Sequence, residues 1–146
     1  VGKRGGSLPA APAGAAGGVR EPIRLLYYGW LPRISGHQVN KFARSRLTKK
    51  GRAVFGVLPP MLYPQCKAHV EIIRVLGPGQ RPMDDDNISA MVSGLRDALV
   101  PSWIRDDSPK WSTFTYRNDD TRREMGPCIE VRITYVHARM RECANA

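Results

Sequence analysis

The chain has 146 residues, 42% of them hydrophobic, which is enough for one domain with a core that needs no staple. Its 23 Lys and Arg against 13 Asp and Glu give a formal net charge of +10, which suits a polyanionic partner better than a merely solvated basic surface. No apolar run is long enough to span a membrane, and residues 1–21, built almost wholly of Gly, Ala, Pro and a few basic residues, lack the continuous apolar segment of a signal peptide.

That composition predicts a disordered leader over 1–21, because it cannot bury enough surface to offset chain entropy. Residues 23–30 read as a first strand of β-formers with Arg24 as a lone charge, followed by a loop at 31–36 with Pro32 and Gly36 as breakers. A helix is expected over about 39–58, with Val39, Phe42, Ala43, Val54, Phe55 and Leu58 facing inward, ended by Pro59-Pro60. A second strand covers 66–76, with Ala68, Val70 and Ile72 on one face. After the Gly77-Pro78-Gly79 turn comes an acidic loop, then a helix over 88–99 whose stripe is Ile88, Met91, Val92, Leu95 and Leu99, with Asn87 as its N-cap and Pro101 as its stop. Strands at 111–117 and 128–136 follow, the latter alternating Ile129, Val131, Ile133 and Tyr135 against Glu130, Arg132 and Thr134. Residues 22–138 thus form one small α+β domain with a mixed sheet and two main helices in the order β-α-β-α-β-β, and 139–146 a frayed tail.

Charge is uneven along the chain. Before residue 61 the basic residues face the single acid Glu21, and beyond it acids and bases balance. Arg44, Arg46, Lys49, Lys50 and Arg52 on the first helix are therefore the expected nucleic-acid contacts, since clustered cations gain from counterion release at phosphates. Cys66, Cys128 and Cys143, like His37, His69 and His137, are scattered without metal-ligand spacing, so reduced thiols, ordinary histidines and no zinc are expected.

Against that basic background, Asp84-Asp85-Asp86 precede the second helix and Asp106-Asp107 follow it. Anionic side chains are stabilised at a helix N-terminus, so capping and solubility account for the first group if it stands alone. If a chain reversal at Pro101 returns the second pair beside the helix start, the combined carboxylates suit a hard divalent cation with oxygen ligands. A metal ion there activates water and stabilises charge on a phosphate, the chemistry of a nuclease.

The run Asp84-Asp85-Asp86-Asn87, the helix ending Leu95-Arg96-Asp97-Ala98-Leu99, and Trp103-Ile104-Arg105-Asp106-Asp107 together resemble the RusA family of Holliday junction resolvases. The likeness is specific over 84–107 and matches the order of elements over about 23–136. It implies a homodimeric, magnesium-dependent endonuclease of bacterial or phage-infected cytoplasm that nicks four-way DNA junctions symmetrically in recombination and repair. The likeness further implies manganese as a substitute ion, with no small-molecule cofactor and no membrane involved. The family's catalytic and metal-binding aspartates fall on Asp84, Asp86 and Asp107, with Asp106 as the alternative to Asp107. One departure stands out: the lysine that the family carries on this helix, four residues before the Asp of Asp-Ala-Leu, is Ser93 here. Arg96 or Lys110 is the expected replacement cation, and a non-catalytic branched-DNA or RNA-binding protein is the rival reading. Trp103 and Trp111 are expected to pack in the core or a dimer interface.

Overall fold

The structure, a computed structural model, describes residues 22–56 and 66–136; the expected leader and tail lie outside them. Strands β1 (Ile23–Tyr27), β2 (Lys67–Val75), β3 (Ser112–Asp119) and β4 (Cys128–Val136) form one sheet in the order β1-β4-β2-β3. β4 runs antiparallel to both β1 and β2, whereas β2 and β3 are parallel. Between them in sequence lie helices α1 (Lys41–Phe55), α2 (Asp85–Met91) and α3 (Ser93–Leu99). This is the expected small mixed α+β domain, except that the second helix is broken at Val92 into two seven-residue pieces.

Period-two alternation decides the core. Ile129, Val131, Ile133 and Tyr135 of β4, with Ala68, Val70 and Ile72 of β2, lie in one buried cluster with Leu47, Phe55, Ile88, Leu95 and Leu99 of the helices. Each fully buried aliphatic side chain contributes about 1.5–3 kcal/mol relative to exposure. Among the described residues, no helix is long and apolar enough to cross a membrane.

α1 departs from its expected orientation. Its buried residues are Leu47, Gly51 and Phe55, while Phe42 and Val54, expected inside, are 73% and 54% exposed. The reason is a close helix–helix approach. A Cβ at Gly51 would stand 2.8 Å from the Ala98 methyl, and one at Gly94 would stand 2.5 Å from the Arg44 carbonyl oxygen. A face centred on glycine does not read as an apolar stripe. Asn40 caps the helix by accepting from the Phe42 amide at 2.8 Å, and Gly56 closes it at φ 67°.

The opposite face of the sheet carries ionic pairs around Glu130, which is fully buried. Arg24 Nε and Arg132 Nε donate to one of its oxygens at 2.9 and 2.6 Å, and Arg122 Nη1 stands 2.6 Å from the other. Burial alone would push this carboxyl up, but the bonds from Arg24, Arg132 and Arg122 outweigh it and hold it at about 2. Cys128 is a buried free thiol, whereas Cys66 is disulfide-bonded, contrary to the expectation of three reduced thiols.

Candidate functional site

The acidic run follows the loop of residues 76–83 that leaves the end of β2. Asn118 of β3 grips the preceding residue from both sides, accepting from the Met83 amide at 3.1 Å and donating to its carbonyl at 2.8 Å. Arg74 donates to the Arg81 carbonyl at 2.8 Å, so the loop that delivers the aspartates is fixed to the sheet. Asp84 takes the N-cap position in place of the expected Asn87, without a capping side-chain bond. Asp84, Asp85 and Asp86 are all exposed and, among the described residues, make no side-chain hydrogen bond or ion pair.

Asn87 lies within the first turn of α2, and its Oδ1 accepts from the His37 imidazole Nδ1 at 2.7 Å. His37 arrives through a two-residue turn in which Gly36 and His37 have φ of 58° and 65°, closed by reciprocal bonds between Ser35 and Gln38 at 2.9 and 3.1 Å. A histidine in the left-handed region is uncommon, and here it carries the ring across to α2. A cavity of about 490 Å³ opens between this turn and α2, bordered by Arg33, Ile34, His37, Met83, Asn87 and Met91.

Asp106 and Asp107 sit elsewhere. Both are exposed in the turn after α3, where Ser112 Oγ donates to the Asp106 carbonyl at 2.6 Å. Ser112 opens β3 and pairs with Ala68 at the start of β2, whereas Asn118, which holds Met83, lies six residues farther along β3. At roughly 3.3 Å per residue, about 20 Å of strand separates the two anchor points. Among the described residues no group of three or more His, Cys, Asp or Glu is placed to hold a metal ion. A single chain therefore does not bring Asp107 to Asp84 and Asp86, and the expected reversal at Pro101 does not return the pair. The cause is topological: a crossover between parallel strands leaves at one end of the sheet and re-enters at the other.

The expected DNA contacts divide. Arg44 makes two bonds to Asp97, at 2.7 and 3.0 Å; these bonds, and to a lesser degree the charge of Asp107, push its guanidinium above its ordinary value. Arg46 lies over the Trp30 ring at 4.3 Å, and Arg52 donates to the Asp97 and Val100 carbonyls at the end of α3. Lys49 and Lys50 are exposed and have no partner among the described residues. Ser93 is buried and donates to the Ala90 carbonyl, so its hydroxyl is not available at a surface site. Arg96 is occupied by Ser89 and Tyr116, and Lys110 lies over Trp111, 5.4 Å from the ring centroid. Trp103 is buried, as expected of a core residue, with its indole N–H on the Gly56 carbonyl.

Arg33 and His37 at the acidic end escaped the sequence reading; the only local signal was the Ser-Gly-His-Gln turn pattern. Comparison with family models, curated proteins and solved structures finds no match to the chain.

Proposed function

We infer that the protein is a magnesium-dependent endonuclease of the RusA kind acting on branched DNA as a two-fold homodimer. The observation that carries this reading is the free state of Asp84 and Asp86, exposed at the end of a fixed loop with no cation among the described residues bound to them. Their donor set fits a magnesium ion, which is commonly held by one or two carboxylates with water and substrate phosphate completing the shell. When bound, the ion supplies an activated water and positive charge beside the phosphate. Since one chain keeps Asp107 at the far end of its sheet, Asp107 joins that pair only from a second protomer. Two composite sites related by a two-fold axis would then deliver paired nicks. Lys49 and Lys50 position the duplex through its phosphates.

A nicking assay on synthetic four-way junctions, with magnesium and with EDTA, tests the activity. Nicking that requires the metal and disappears in Asp86→Asn and in Asp107→Asn supports the reading. The composite site has its own test, because mixing the two inactive variants rebuilds one intact site per heterodimer and restores single nicks. Silence of the mixture would place the ligands within one chain or remove Asp107 from the set.

The second reading, a binder of branched DNA without cleavage, draws on the burial of Ser93 and the internal bonding of Arg96. Tight junction binding with no nicking in magnesium or manganese would establish it instead.

A further inference from the structure

We propose that the cavity between the Ser35–Gln38 turn and α2 is a subsite for one unstacked nucleotide of the nucleic-acid substrate. The inference deepens the nuclease reading and rests on it for the identity of the polymer. At about 490 Å³ the space lies within the range of small-ligand pockets, which runs from about 300 to 1,000 Å³. Its chemistry divides as a nucleotide's does. Met83 and Met91 bring polarisable thioethers and Ile34 an apolar wall, surfaces suited to a flat base. Arg33 is exposed and makes no hydrogen bond or ion pair among the described residues, so its guanidinium is free for a phosphate.

Polar recognition comes from the His37–Asn87 pair. With Nδ1–H given to Asn87 Oδ1 at 2.7 Å, His37 keeps Nε2 and Asn87 keeps its amide N–H groups for a base edge. His37 reaches this position only through the left-handed backbone of the turn, an arrangement with no evident packing function, since the residue is exposed. Asn87 follows Asp86 directly, so a base held here places its own phosphate near the acidic residues. Taking a nucleotide out of the stack is cheapest where pairing is already disrupted, as at a branch point.

The test uses the full chain and 5′-mononucleotides (dAMP, dCMP, dGMP, dTMP), with 2-deoxyribose 5-phosphate as the control, followed by ligand-observed saturation-transfer NMR. At least one nucleotide should bind about tenfold more tightly than the sugar phosphate. Ile34→Trp, which fills the cavity, and Asn87→Ala, which removes the polar pair, should each erase that difference. Arg33→Ala, an exposed change, should weaken nucleotide and sugar phosphate alike. Circular dichroism confirms that each variant is folded. Equal binding of nucleotides and sugar phosphate would reduce the site to an anion contact and overturn the proposal. So would absence of binding at millimolar nucleotide, or binding indifferent to both Ile34→Trp and Asn87→Ala. Nucleotide binding without junction nicking defeats the nuclease reading and leaves the subsite; nicking without nucleotide binding does the reverse.

Discussion

Two sets of carboxylates in this protein live under opposite conditions. On the face of the sheet opposite the helices Glu71, Asp119 and Glu130 are each bonded to arginine, Glu130 to three of them. At the start of α2, Asp84, Asp85 and Asp86 have no such partner among the described residues, although bases outnumber acids by 23 to 13. Where an acid serves the fold, the chain supplies its counter-charge. An exposed acidic group left unpaired amid excess arginine is open to a counter-charge from outside.

The variants that break this comparison differ in what they should cost. Asp86→Asn is expected to lower junction nicking roughly 10⁴-fold, about 5 kcal/mol at 1.36 kcal/mol per decade, without moving the thermal midpoint. An unchanged rate would mean that the unpaired acids are only a solvated cap. Glu130→Gln should act in the opposite way, destabilising the fold by about 3–5 kcal/mol in urea unfolding, because three arginines lose their buried partner.

The same contrast has a pH signature. Glu130 is held at about 2 by its arginines despite burial, and Asp119 at about 2 by bonds from Thr121 first and Arg122 second. Both values lie below those of the unfolded chain, so their stabilisation is complete above the ordinary carboxylate range near 4 and is lost as pH falls toward 2. Urea midpoints should therefore drop between about pH 4.5 and 2, and Glu130→Gln should flatten that slope. A wild-type curve that stays level over this window would contradict the paired network.

Smaller effects sharpen the picture of the helices. Gly94→Ala should cost about 1–3 kcal/mol of stability, since its new methyl meets the Arg44 carbonyl at 2.5 Å and Leu47 Cβ at 2.7 Å. Lys49→Ala and Lys50→Ala should leave stability unchanged and each lower the salt slope of junction binding by about 1. A comparable loss of slope in Arg46→Ala would show that its place over Trp30 does not withdraw it from DNA.

Much of the fold was legible in the chain itself. β4 appears at its expected residues because its two faces differ sharply in polarity, and Ile88, Met91, Val92, Leu95 and Leu99 are all buried as their spacing demands. α1 was harder to read, since its contact face is centred on Gly51, where closeness replaces side-chain apolarity. The cap also shifted: Asn87, a good N-cap residue by type, bonds His37 instead and leaves Asp84 at the helix start.

Local sequence determined which segments are strands and helices, which faces are apolar, and that acidic residues flank the second helix on both sides. Those features depend on periods of two and 3.6 residues, which a linear reading resolves. Only the tertiary structure decided that β2 and β3 run parallel, which holds Asp84–Asp86 and Asp106–Asp107 at opposite ends of one sheet. It alone brought His37 to Asn87 across fifty positions of chain, and it alone tied the exposed Arg44 and Arg52 to α3. Contacts of that separation follow from strand order and helix approach, and no local pattern in a single chain encodes either one.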